Sequence, residues 1–272
     1  MLVFPNCKIN LGLNVVEKRP DGFHNIETVF YPIHWCDALE VLENKTTERA
    51  FDYSQSGLTI DGSLETNLIY KAWKLICGLR TLPPLKVHLY KNIPMGAGLG
   101  GGSSDAAAFI NLVDAKFNLL LSQEDKFAVA NQLGSDCAFF IDNKPVYASK
   151  KGNVFSGIHL DLSRYYILLV YPGIHSNTAK AYEGLNPAKK QQELKTLIET
   201  TKLRDWKNLV INDFEKNLFS VYPAIEHLKQ QLYEQGALYA SMSGSGSAVF
   251  GIFEKEPALN FSPSYHYYLQ KP

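Results

Sequence analysis

The stretch PMGAGLGGGSSDAAA, residues Pro94 to Ala108, decides how this chain is to be read. It follows LKVHLYK (85–91), whose apolar and polar residues alternate as in a half-buried strand. It precedes SSDAAAFINLVDAKF (103–117), which predicts a helix with Ser103, Ser104 and Asp105 in its first turn. Glycines between a strand and a helix let successive N–H groups turn toward an anion, and the helix N-terminus adds its positive dipole end. Serine hydroxyls there can donate to phosphate or bind Mg²⁺. The loop holds phosphates.

Two familiar nucleotide loops do not fit it. Gly96, Gly98 and Gly101 satisfy GxGxxG, but a dinucleotide loop ends the first strand of a parallel βαβ unit and has an acidic residue about 20 positions on. This loop begins only at Pro94, after strands that read as antiparallel, and Asp114 falls inside the following helix. For GxxxxGK[ST], aligning Gly96 and Gly101 puts Gly102 in the lysine slot. Cationic help for the phosphates must then come from elsewhere in the chain.

Lys8 is a candidate. Ile9, Leu11, Leu13 and Val15 alternate with Lys8, Asn10, Gly12 and Asn14, a strand with Lys8 and Asn10 on the face opposite the core. RPDGFHN (19–25) reads as a loop, with strands after it near 26–34 and 38–43. Helices are predicted over 67–79, 122–133 (capped by Ser122), 176–184, 189–201, 204–211 and 221–235. Strands are predicted near 145–149, 153–160, 165–171, 237–243 and 247–254, the last two flanking the turn Gly244-Ser245-Gly246. The fold class is α+β, and the shift from strand to helix places domains at 1–158 and 159–272.

Bulk properties narrow the function classes. Apolar residues make up 46% and charged residues 20%, as in soluble globular proteins. Net charge is zero, so no broad basic field invites nucleic acid or an anionic membrane. No apolar run reaches the roughly 20 residues of a membrane helix, and MLVFPNCKINLGL lacks the features of a signal peptide. Cys7, Cys36, Cys77 and Cys137 form no CxxC, so buried free thiols in a cytoplasmic protein are expected. The expected oligomeric state is a monomer or weak homodimer.

The loop residues closely resemble the ATP loop of the GHMP kinases, the superfamily of galactokinase, homoserine kinase and mevalonate kinase. Within it the chain resembles the 4-diphosphocytidyl-2-C-methyl-D-erythritol kinases in three further segments: Pro5-Asn6-Cys7-Lys8-Ile9-Asn10-Leu11, Arg19-Pro20-Asp21-Gly22-Phe23-His24 and Leu133-Gly134-Ser135-Asp136. Met242 to Ser247 looks like the superfamily's third motif. The resemblance implies a two-domain fold, with a part like the second domain of ribosomal protein S5 and a ferredoxin-like part. It also implies ATP and Mg²⁺ as cofactors and transfer of phosphate to the 2-hydroxyl of 4-diphosphocytidyl-2-C-methyl-D-erythritol, a step of non-mevalonate isoprenoid synthesis.

Carried onto this sequence, the resemblance implies Asp136 as general base, with Lys8 beside it binding the γ-phosphate or the attacking hydroxyl. ATP would be bound by Pro94, Met95, Gly96, Ala97, Gly98, Leu99, Gly100, Gly101, Gly102, Ser103 and Ser104. Asn10, Phe23, His24, Tyr182, Gly244 and Gly246 would bind the second substrate, with the aromatics and His24 on cytosine and the glycines near the diphosphate. Asn67, Lys91, Ile93 and Met95 are candidates for the adenine pocket. No metal ligand is assigned. Asp105 stands where the family often has Asn and is given no role. A helix N-cap is the bland alternative for Asp136, and a solvated strand face is that for Lys8.

Overall fold

The computed structural model describes every residue except 47–48, 177–180, 184, 186 and 189. It divides into two compact units, and the chain passes between them after Cys7, Ile33, Met95, Leu99 and Asn143.

One unit comprises residues 1–7, 34–95 and 100–143. Its sheet has the order β1 (Leu2–Val3), β4 (Ala38–Glu43), β6 (Leu85–Lys91), β5 (Phe51–Gly57). β4 and β6 are antiparallel, whereas β5 and β6 are parallel from Phe51↔Leu85 to Gly57↔Lys91. Along β6 the buried positions are Leu85, Val87, Leu89 and Lys91, so the period of two carries a lysine onto the core face. The helices are α1 (Leu68–Cys77), α2 (Gly101–Phe117), α3 (Gln123–Leu133) and α4 (Ser135–Asp142). α2 buries Ala106, Ala107, Phe109, Ile110, Leu112 and Val113, more than one stripe, because α1, α3, α4 and β4 all pack on it. Ser122 and Asp125 form the reciprocal capping box that starts α3. Asn67 caps α1 by accepting the Ile69 N–H at 2.8 Å.

The other unit comprises residues 8–33, 96–99 and 144–272. It holds the sheet β2 (Asn6–Lys18), β3 (His24–Cys36), β7 (Val146–Ser149), β8 (Val154–Gly157), of which β2 and β3 begin or end in the first unit. A second, antiparallel sheet has the order β10 (Tyr239–Met242), β11 (Val249–Phe253), β9 (Tyr166–Tyr171), β12 (His266–Gln270). Its helices are α5 (Leu194–Thr200), α6 (Trp206–Leu209), α7 (Glu215–Val221) and α8 (Pro223–Glu234). Leu218 of α7 and Ile225, Leu228 and Leu232 of α8 join Leu168, Val170, Val249 and Phe253 in one core. Truncating any of these to Ala costs roughly 2–5 kcal/mol.

Several expectations change. β2 is buried on both faces over Asn6–Val15, so Lys8 and Asn10 lie inside the protein at 3% and 2% exposure, not on a solvated face. The predicted helix 221–235 is really the end of α7 and all of α8, broken because Pro223 disfavours helical geometry at Tyr222 and then serves as the first residue of α8. Residues 135–142, to which no element is assigned from the sequence beyond a helix cap as the alternative for Asp136, form α4. The aromatic tail supplies β12, an edge strand on β9. Of the four free cysteines only Cys7 and Cys137 are buried; Cys77 is exposed. The helix predicted over 176–184 lies largely outside the described residues. Among the described residues no helix is long and apolar enough to cross a membrane.

Candidate functional site

In the unit built on β2, Lys8 is the centre of a buried polar cluster. Its Nζ donates to Asn10 Oδ1 at 2.6 Å and to the Gly98 carbonyl at 3.0 Å. The Phe30 ring lies 5.0 Å from that nitrogen. Asn10 is itself fixed, because its Nδ2 donates to Thr28 Oγ1 at 2.9 Å and Thr28 donates to the Gly12 carbonyl at 2.6 Å. The Asn10 amide side chain therefore orients the Lys8 ammonium. Ser243 completes the cluster: its hydroxyl donates to the Gly98 carbonyl at 2.9 Å and accepts the Asn10 N–H at 3.2 Å.

These bonds lay the β10–β11 turn directly against residues 96–99. Ala248 N–H donates to the Ala97 carbonyl at 3.0 Å, and Lys8 N–H donates to the Leu99 carbonyl at 3.0 Å. Gly98 has φ +77°, and a Cβ there would stand 1.9 Å from the Ser243 carbonyl oxygen, so only glycine fits. Gly244 is likewise confined, since a Cβ would meet Asn10 Oδ1 at 3.1 Å. For Gly246 the obstacle is Met242 Sδ at 2.6 Å, so both glycines serve the packing of the turn itself. Asn212 anchors that turn by donating to the Met242 and Gly244 carbonyls, each at 2.8 Å. Glu215 accepts from the Met242 N–H at 2.8 Å and from Lys229 at 2.6 Å.

The same unit holds the aromatic candidates. Asp21 organises the loop after β2: it pairs with Arg19 at 3.1 Å and Lys151 at 3.0 Å, and accepts the Phe23 N–H at 3.2 Å. The Arg19 and Lys151 bonds hold its carboxyl well below the usual carboxylate range. Phe23 is 58% exposed, with Lys151 Nζ 3.9 Å over its ring. His24 stacks on Tyr182 with centroids 4.5 Å apart and 16° between planes. Tyr182 stands edge-on to Phe214 at 4.7 Å. Burial, and then Lys18, lower the His24 pKa, which favours a neutral ring with one donor and one acceptor nitrogen.

The other unit carries Pro94, Met95 and residues 100–104. Gly100, at φ +71°, turns the chain into α2, whose first turn has no side-chain cap. The helix thus starts with N–H groups that no side chain of its own satisfies. Gly101 has no room for a side chain, because a Cβ would meet Lys91 Nζ at 2.9 Å. Ser104 is buried, and burial pushes the Cys137 thiol up to about 11. α2 packs on α4, whose first turn contains Asp136. The N-cap position of α4 is Gly134, so Asp136 is not a cap; it sits where the helix dipole favours negative charge.

A cavity of about 360 Å³ in this unit is lined by Tyr53, Asn67, Leu68, Met95, Gly102 and Asp105, among others. Of the four candidates for the adenine pocket, Asn67 and Met95 line this cavity, and Lys91 and Ile93 are fully buried outside its lining. Lys91 bonds instead to Asp37 at 2.5 Å and Asp105 at 2.8 Å. Among the described residues no group of three His, Cys, Asp or Glu side chains could hold a metal ion. Ser243, Asn212, Glu215 and the Asp37–Lys91–Asp105 cluster were not found from sequence. Only Lys91 left a signal there, a cation at a core position of an alternating strand.

Models of the GHMP kinase N-terminal and C-terminal domains match residues 67–144 and 193–262. A 4-diphosphocytidyl-2-C-methyl-D-erythritol kinase of Bacteroides fragilis is 51% identical over 259 residues, 95% of this chain and 94% of that one. One from Azobacteroides pseudotrichonymphae is 48% identical and covers 99% of this chain and 100% of its own. A crystal structure of a 4-(cytidine 5'-diphospho)-2C-methyl-D-erythritol kinase superposes with a TM-score of 0.78 at 28% identity, covering 93% of this chain and 90% of that chain. The Methanococcus jannaschii mevalonate kinase shares the fold, with a TM-score of 0.67 at 14% identity, over 93% and 90% of the two chains.

Proposed function

The chain belongs to the GHMP kinases and, within them, to the 4-diphosphocytidyl-2-C-methyl-D-erythritol kinase family, and on that premise we propose how its residues carry out the reaction. It transfers the terminal phosphoryl group of ATP to the 2-hydroxyl of 4-diphosphocytidyl-2-C-methyl-D-erythritol, giving ADP and the 2-phosphate. The step belongs to the non-mevalonate route to isoprenoid precursors. The observation that carries this reading is the 51% identity over 95% of the chain to a kinase of that name.

Phosphoryl transfer asks a protein mainly to position groups and to neutralise developing charge. The N–H groups of residues 96–104 and the N-terminus of α2 hold the ATP phosphates. Asp136 accepts the hydroxyl proton as the 2-oxygen bonds to the γ-phosphorus and the bond to the β-bridging oxygen breaks. Lys8, oriented by Asn10, supplies positive charge to the transferring group. Mg²⁺ supplies charge neutralisation at the phosphates. When bound it would be held by the ATP phosphates together with the Ser103 and Ser104 hydroxyls. Cytosine is read by His24 and stacks on Tyr182 and Phe23, while the backbone of Gly244 and Gly246 approaches the diphosphate.

The catalytic and ATP-binding part runs over 1–158 and the second part over 159–272, in a monomer or weak homodimer of the cytoplasm. ADP release is the test, measured with a panel of alcohols that includes homoserine, mevalonate and the cytidine diphosphate compound. Release confined to the last, with a raised KM for it in His24→Ala, supports the reading. Release with homoserine or mevalonate and none with the cytidine compound overturns it.

A further inference from the structure

The hydrogen bonds around Lys8 run in one direction, and a buried hydroxyl sets it. Thr28, on β3, is fully buried. Valine would fill the same space without the cost of burying a hydroxyl. That hydroxyl is used on both sides. Its proton goes to the Gly12 carbonyl at 2.6 Å, so a lone pair faces the Asn10 side-chain nitrogen at 2.9 Å.

At the other end of the Asn10 amide stands a group of opposite character. An ammonium offers three N–H donors and no acceptor, so the Asn10 atom 2.6 Å from Lys8 Nζ is the amide oxygen. The two ends agree: Thr28 takes the NH₂, Lys8 takes the oxygen, and a flipped amide would set its NH₂ against a cation. Lys8 Nζ also donates to the Gly98 carbonyl at 3.0 Å. With the stem and two N–H directions fixed, tetrahedral geometry fixes the direction of the third. Resting on the reading of Lys8 as the cation of phosphoryl transfer, we propose that Thr28 is a positioning residue of that reaction. It acts through Asn10, holding the amide oxygen in place so that the Lys8 ammonium keeps one orientation as charge develops on the transferring group.

Ser243 does not duplicate this role. Its hydroxyl gives its proton to the Gly98 carbonyl at 2.9 Å and accepts the Asn10 main-chain N–H at 3.2 Å, which fixes the backbone and not the amide plane. Its contact with Asn10 Oδ1 is long, at 3.5 Å. Without the Thr28 hydroxyl, the buried Asn10 NH₂ loses its acceptor, and leaving it unpaired is costly. The amide then turns toward another acceptor, the vacated Gly12 carbonyl among them. Its oxygen leaves Lys8, and the ammonium can rotate about its Cε–Nζ bond.

Steady-state ADP release by the full chain, with ATP and the cytidine compound, tests this in Thr28→Val and Thr28→Ser, each first shown by circular dichroism to be folded. Thr28→Val should lower kcat roughly tenfold to a hundredfold, while the KM for ATP stays within about twofold. Thr28→Ser keeps the hydroxyl and should recover most of that loss. If Thr28→Val does not fold, Thr28→Ala, which also lacks the hydroxyl, takes its place. A double-mutant cycle reads the route through Lys8: in a Lys8→Met background, losing the hydroxyl should lower kcat by no more than about twofold further. An undiminished kcat without the hydroxyl overturns the proposal, as does an equal fall in Thr28→Ser, or the same fold-loss with and without Lys8. Crystal structures of the variants give a readout independent of turnover. Lys8 Nζ should keep its bond to Asn10 Oδ1 in Thr28→Ser and lose it in the variant without the hydroxyl; a bond retained there also overturns the proposal. If the wild type releases no ADP with the cytidine compound, the kinase reading fails, and those structures alone decide this inference.

Discussion

The protein buries two lysines and surrounds them differently. Lys91 is wedged between two carboxylates, Asp37 and Asp105, in the core of one unit. Lys8, in the other, donates to the Asn10 amide oxygen and to the Gly98 carbonyl. Removing Lys91 strands two buried acids, whereas the Gly98 carbonyl that Lys8 reaches also accepts from Ser243. The contrast sets a lysine clamped between two acids against the one proposed to serve the chemistry.

Stated as experiments, the contrast makes its largest claim about rate. Lys8→Met should cut kcat by roughly 10²–10³-fold with little change in the urea midpoint, and Asp136→Asn by roughly 10²–10⁴-fold. Near-normal turnover in Lys8→Met would erase the distinction. The converse variant, Lys91→Met, should lose about 3–5 kcal/mol in urea unfolding, because an unpaired buried charge remains. If Lys91→Met proved as stable as wild type, the cluster would not be structural. A smaller effect is expected at the aromatic site: Tyr182→Ala should raise the KM for the cytidine compound and leave that for ATP unchanged.

The smallest effect concerns pH and stability. The folded-state pKa of Asp105, about 7, lies above that of an unfolded aspartate, so the folded state binds the extra proton. Its contribution to stability is complete below the unfolded pKa and is lost as pH rises through about 7. Thermal denaturation should therefore show wild type losing stability from pH 6 to pH 8, and Asp105→Asn losing less.

Much of this was legible before any coordinates. The loop at 94–104, the cap at Ser122 and the strands around it follow local rules that short stretches of sequence obey. Lys8 and Asp136 came from resemblance to family motifs, because a lysine on an alternating strand looks the same whether its face meets water or protein. That face is buried because of segments far along the chain, above all the β10–β11 turn that brings Ser243 to Gly98. The partners of Lys91 were hidden for the same reason: Asp37 lies 54 residues away, and no local pattern announces a buried ion triad. Only a possible cap at Asp136 announces α4 in the sequence, and the helix in fact starts earlier, with Gly134 as its N-cap.

The most direct measurement is ³¹P nuclear magnetic resonance of the products formed from ATP and 4-diphosphocytidyl-2-C-methyl-D-erythritol. The account predicts ADP and one new phosphomonoester signal in equal amounts, with the cytidine diphosphate linkage intact. ADP accompanied only by inorganic phosphate, or cleavage of the diphosphate, would contradict it.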